Sequence, residues 1–270
     1  MFFNAIFRTQ YFLAAWKHVR VFSILKPGKG QALPSSYRPI SLLETIGKLF
    51  EKILLSRILY EVSGGGLPHD RKFWFRPKHI TALQLARLVE KVSSNFEEKR
   101  LKGAVFLDVA KAFDTVWVDG LLYKLTILDF PSYLLKTISL YLNGRTFEAS
   151  FQTATSTNHR MRAGVAQVGI ISPILFSMYV NDMHSPSLHV ELALYANDTA
   201  VIATSSQTAL LPKYLETYLS NIKRWLSEWR IAIDVSKSSS PRAVGASRYP
   251  EQYSSSGSQS NGSTTPVILE

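Results

Sequence analysis

The stretch "ELALYANDTAVIAT", residues 191–204, decides the reading of the chain. An apolar run stops at Ala196-Asn197-Asp198 and then resumes, as two strands joined by a tight turn would. An Asp at the tip of such a hairpin is well placed to hold a metal ion, but its neighbour Asn197 carries no charge. Taken alone, Asp198 is better read as a residue that favours a turn.

Working outward, "GAVFLDV" (103–109) reads as a buried strand that emerges at Asp108. Upstream, Ile46, Leu49, Phe50, Ile53, Leu54, Ile58, Leu59 and Val62 recur at helical intervals until "GGG" at 64–66 ends them. Further helices are expected over 80–98, near 119–128 and over 132–142, and "NGRTFEASF" reads as a turn and strand. Ser172-Pro173 has the form of an N-cap and first helical residue, opening a helix to about Asp182. Leu215, Tyr218, Leu219, Ile222, Trp225, Leu226 and Trp229 share one helical face. Interleaved strands and helices with a hairpin indicate an α+β fold. After about Lys237 the Ser/Gly-rich composition reads as a disordered tail, 238–270.

Composition agrees with a globular chain: 270 residues, 46% hydrophobic and 12% aromatic. Lys and Arg number 31 against 20 Asp and Glu, a net charge of +11 that favours a polyanionic partner. Cysteine is absent, which excludes disulfides, thiolate metal sites and a Cys nucleophile. The apolar opening "MFFNAIFRTQYFLAAW" is interrupted by Asn4, Arg8, Thr9 and Gln10, and no run of about 18 apolar residues occurs, so no membrane association is expected.

Asp108 and Asp198 are thus two carboxylates at strand ends. Mg²⁺ prefers carboxylate oxygens together with substrate phosphates. Two such ions about 3.5–4 Å apart can clamp the attacking and leaving oxygens of a phosphoryl transfer.

The ordered segments "KPGKGQALPSSYRPISLLETIGKLFEKIL", "KFWFRPKHITALQLARLVE", "FLDVAKAFDTVW", "GVAQVGIISPILFSMYVNDM", "ALYANDTAVIAT" and "WLSEWRIAIDVSKS" carry more weight than any pair of acids. Together they resemble the reverse transcriptase domain of non-LTR retrotransposons, of the insect jockey-like group. The resemblance implies a right-hand polymerase fold: fingers within 1–100, palm over 101–237 with an antiparallel sheet packed on helices, and the thumb mostly missing. It implies RNA-directed DNA synthesis with two Mg²⁺ ions, or Mn²⁺, on an RNA template, a DNA primer and a dNTP. The compartment would be intracellular, cytoplasm and nucleus; no oligomeric state follows.

Residue by residue, the resemblance makes Asp108 a metal ligand, with Asp198 and Asn197 completing the catalytic hairpin. Phe113 becomes the aromatic gate beneath the incoming sugar, and Gln167 a contact to the nucleotide. Lys26 or Lys29, with Arg38, would approach the triphosphate, and Arg76 the template backbone. Lys237 stands where the family has a lysine after the last palm helix.

The departures are equally specific. The family's Tyr-Ala-Asp-Asp reads Tyr195-Ala196-Asn197-Asp198, its Pro-Gln-Gly reads Ala166-Gln167-Val168, and Trp74 stands at a Gly position. An amide oxygen can coordinate but supplies no charge, a loss of roughly 3–5 kcal/mol of transition-state stabilisation, or about 10²–10⁴ in rate. Such changes read as a decaying element copy with impaired synthesis. The alternative is a catalytically dead nucleic-acid-binding remnant.

Overall fold

Aromatic side chains gather around one helix. The computed structural model describes residues 2–64, 101–166, 169–183, 187–195 and 198–244. Helix α2 (Thr45–Gly64) buries Phe50, Leu54 and Ile58 completely, a stripe of four-residue steps that faces the core. Ile46 and Leu49, which share the apolar periodicity, are half exposed instead. Phe50 stacks on Phe7 at 5.2 Å between ring centroids and meets Phe12 edge-on at 5.5 Å. Phe7 comes from helix α1 (Phe2–Thr9), so the apolar opening of the sequence is packed into the core.

Contacts divide the chain into two units. The first holds α1, α2, strands β1 (His18–Leu25) and β2 (Tyr37–Leu42), and helices α3 (Val118–Ile127) and α4 (Ser132–Leu142). It also holds β4 (Thr146–Phe151), β5 (Ala154–Thr155), β6 (His159–Arg160) and helix α5 (Ser172–Tyr179). Its sheet runs β2-β1-β4-β5, with β6 also on β4; β1 is antiparallel to β2 and parallel to β4.

The second unit is a four-stranded antiparallel sheet, β7-β8-β3-β9, covered by a helix. Its strands are β3 (Leu101–Asp108), β7 (Val190–Tyr195), β8 (Asp198–Ser205) and β9 (Ser239–Val244). Helix α6 (Leu210–Glu228) turns Leu211, Leu215, Tyr218, Ile222, Trp225 and Leu226 inward. A Cβ at Gly103 would stand 3.4 Å from Leu215 Cδ1, so the missing side chain on β3 lets the helix lie close on the sheet. The helix at 80–98 lies outside the described residues.

Two expectations need correction. Ser172 does not cap α5: the N-cap is Ile171, and Ser172, fully buried, donates its hydroxyl to the Ala166 carbonyl at 2.6 Å. The helix also ends at Tyr179, short of Asp182. Ser239–Val244, assigned by composition to a tail, form β9 and pair with Lys102–Phe106 of β3. Backbone pairing needs no apolar periodicity, so a strand of Ser, Pro, Arg and Ala escapes a hydrophobicity reading. Residues beyond 244 lie outside the described residues. Among the described residues no helix is long and apolar enough to cross a membrane.

Candidate active site

Strand β3 alternates apolar burial along Val105 and Leu107 and delivers Asp108 at its end, with a side chain only 12% exposed. On the neighbouring strand, Asp198 is its register partner, and the pairing continues through Leu107↔Thr199 to Leu101↔Ser205. Directly opposite residues of antiparallel strands share a face. The β7–β8 hairpin closes on the pair Tyr195↔Asp198, as the opening stretch of sequence implies. The two strand-end aspartates are therefore brought together; Asn197 lies outside the described residues.

The chain returns to Asp108 along a second path. The Asp234 N–H donates to the Asp108 carbonyl at 2.8 Å, and the Ala110 N–H donates to Ala232 at 2.9 Å. Lys237 then places its ammonium 3.0 Å from Asp108 Oδ2 and 3.1 Å from Asp234 Oδ2. The Asp108 carboxylate, with Asp234 beside it, holds the Lys237 pKa above its ordinary value. Hydrogen bonds from Ser236 and Lys237 lower that of Asp234. The sequence reading passed over Asp234, although "IAID" repeats on a small scale the apolar run into an Asp that marks Asp108.

The Asp108 carboxylate is a donor of the kind a hard divalent ion prefers, at a strand end that pairs with Asp198 and already seats a cationic group. Asp108 and Asp198 are the residues that would hold it.

Lys26, Lys29, Arg38 and Phe113 lie in the other unit. Lys26, Lys29 and Arg38 ride the β1–β2 hairpin, where the Lys26 N–H donates to Ser36 at 2.8 Å and Arg38 pairs with Ile24. Lys29 and Arg38 are exposed and Lys26 half-buried. The Phe113 ring lies 5.4 Å from that of Phe176, and its carbonyl accepts the Val165 N–H at 2.7 Å. This brings the 163–166 segment against the turn that follows β3. Gln167 and Arg76 lie outside the described residues.

A buried network in this unit was not foreseen. Glu51, 2% exposed on α2, accepts the Tyr141 hydroxyl at 2.5 Å and the Ile170 N–H at 2.6 Å. Burial raises the Glu51 pKa, against the opposing pull of these hydrogen bonds and of Arg145 and Lys48. The polar residue sits beside Phe50 on the apolar stripe, a position the periodicity did not mark.

Comparison with known proteins now fixes the class. Residues 24–245 match the family model described as reverse transcriptase (RNA-dependent DNA polymerase), and the chain belongs to that family as a domain of the non-LTR retrotransposon type. It is 36% identical over 240 residues to a probable RNA-directed DNA polymerase from transposon X-element of Drosophila melanogaster, covering 87% of this chain and 26% of the relative. It is 35% identical over 244 residues to the RNA-directed DNA polymerase from mobile element jockey of the same species, covering 88% and 26%. The chain thus spans about a quarter of the length of these relatives. The fold resembles that of apo telomerase from Candida tropicalis, with a TM-score of 0.62 at 12% identity over 90% of this chain and 55% of the other. The right-hand polymerase architecture expected from the sequence is the observed one, mixed α+β with an antiparallel sheet packed on a helix. The family generally uses divalent metal ions and binds an RNA template.

Proposed function

We propose that this chain is the fingers and palm, 1–100 and 101–237, of a polymerase that extends a DNA primer on an RNA template by two-metal nucleotidyl transfer. The register pairing of Asp108 with Asp198 is the observation that supports it. Two Mg²⁺ ions, when bound, supply charge stabilisation at the attacking and leaving oxygens. Asp108 and Asp198 would hold them, with Asn197 lending an amide oxygen and no charge. Lys26, Lys29 and Arg38 would take the triphosphate, Arg as a planar fork and Lys as a point charge. Phe113 would bar a 2′-hydroxyl, Gln167 would touch the nucleotide, and Arg76 the template backbone.

Asn197 sets the expected level of synthesis low. Primer extension with wild type, Asn197→Asp and Asp108→Ala, each in Mg²⁺ and in Mn²⁺, tests this. Asn197→Asp raises incorporation by about 10²–10⁴, and Asp108→Ala abolishes it while leaving duplex affinity intact. Unchanged synthesis by Asp108→Ala removes that residue from the mechanism.

The net charge of +11 supports a second reading, retained nucleic-acid binding without catalysis, because phosphate attraction does not depend on one carboxylate. Its signature is salt-dependent binding of an RNA/DNA duplex with no extension by wild type or Asn197→Asp.

A further inference from the structure

Asp108 is held from several sides. Its N–H donates to Ser238 Oγ at 3.3 Å, its carbonyl accepts the Asp234 N–H, and its side chain is 12% exposed. Lys237 differs in every respect: its side chain is 65% exposed, and its compact charge rides a flexible four-carbon stem. Asp234 is pinned through its other oxygen, since Oδ1 accepts Ser236 Oγ at 2.6 Å and the Ser236 N–H at 3.1 Å. That leaves Oδ2 on the ammonium, 3.1 Å away. The arrangement is a fixed carboxylate, a fixed second anchor, and a cation able to move between them.

From this we infer that Lys237 is an internal counter-ion of the metal site, competing with a divalent cation for Asp108 and retiring onto Asp234 when the cation binds. The inference rests on Asp108 being a metal ligand. Both cations seek the same carboxylate, and partly exposed ion pairs of this kind are weak enough to exchange. Asp234 shortens the excursion, because Lys237 keeps one partner after losing the other. The effect is to raise the cation concentration at which the site loads. It bears harder on this chain than on one with Asp at 197, since Asn197 adds no charge to offset the ammonium.

The test measures binding of Mn²⁺ alone, by the loss of its free-ion paramagnetic resonance signal, for wild type, Lys237→Met, Asp108→Ala and Lys213→Met. Methionine keeps the stem's bulk and removes the charge. A unit charge about 4 Å from a divalent ion, in water, is worth on the order of a factor of thirty. Lys237→Met is therefore expected to bind Mn²⁺ up to about thirtyfold tighter. Lys213→Met, which removes an exposed charge from α6, should leave binding unchanged. Equal tightening by both variants, or none by Lys237→Met, overturns the proposal. Undiminished Mn²⁺ binding by Asp108→Ala instead overturns the assignment of Asp108 as a ligand. Should Lys237→Met fail to fold, wild type still decides: saturating Mg²⁺ should speed acetylation of Lys237 relative to Lys213, read by mass spectrometry. Equal labelling with and without Mg²⁺ refutes competition.

Discussion

Replacing Glu51 by Ala should cost more stability than any exposed substitution on α2. Glu51 accepts from the Tyr141 hydroxyl and the Ile170 N–H, and Glu51 and Tyr141 are at most 2% exposed. A hydrogen bond to a charged group is worth about 1.5–3 kcal/mol, and each donor stranded in the interior costs about 1–3 kcal/mol. These overlap, so the net loss for Glu51→Ala is about 3–5 kcal/mol, a large share of the typical 5–15 kcal/mol of a domain. Glu51→Gln keeps one acceptor but turns an amide donor toward the other partner, and should lose about 2 kcal/mol. Tyr141→Phe keeps the ring against Phe12 and removes a single donor, for about 1–2 kcal/mol. The double variant should show a coupling of at least about 1 kcal/mol. Because the Glu51 pKa is raised above its ordinary 4.5, the folded state keeps a proton that the unfolded state releases. Stability from this group is then present at low pH and lost as pH rises through the folded value. The gap between wild type and Glu51→Gln should widen as pH falls through that window. Urea unfolding followed by circular dichroism measures all of these. A Glu51→Ala variant within about 1 kcal/mol of wild type would refute the reasoning.

Lys124, 5% exposed, donates to the Tyr179 carbonyl and to Asp182 and lies 3.5 Å from the Trp229 ring centroid; burial, partly offset by Asp182, lowers its pKa to about 8. A lowered lysine pKa makes unfolding take up a proton between that value and 10.5, so stability should rise with pH across this window, by about 3 kcal/mol at most, and Lys124→Met should abolish the rise in denaturant titrations. Gly164→Ala should lose about 2–3 kcal/mol by the same titration, since φ is +91° and the new Cβ would meet Asp114 O at 2.7 Å. A chain ended at Ser240 loses the pairing of Arg242, Ala243 and Val244 with β3, and should melt several degrees below one ended at Gly245.

What the sequence made legible follows from where hydrophobicity does the positioning. The β7–β8 hairpin and β3 are apolar runs, and an Asp stands on each at the end where β3 and β8 pair. Their meeting could be anticipated from the run endings and from family likeness. α3 and α4 also fall where the helical signals place them. β9 could not be anticipated, because its place is set by backbone hydrogen bonds to β3 that leave no mark on composition. Glu51 and Asp234 were missed for a related reason. A polar side chain with buried partners looks, in one dimension, like any other polar residue beside an apolar stripe.

The same distinction explains how a chain with Asn at 197 can keep the architecture of its family. Register along β3 and β8 is carried by the same-face pairs Val105↔Val201 and Gly103↔Ala203, and a one-residue slip would turn them away from the covering helix. The carboxylates stand at the end of the ladder and contribute little to its register. A change of charge at the hairpin therefore leaves the sheet in place. The stitch from Ala232 and Asp234 back onto β3 works in the same way, since it runs through backbone groups that a side-chain change leaves in place. Repair of a single side chain is then a sensible experiment: the scaffold that Asn197→Asp needs is already held by residues the substitution does not touch.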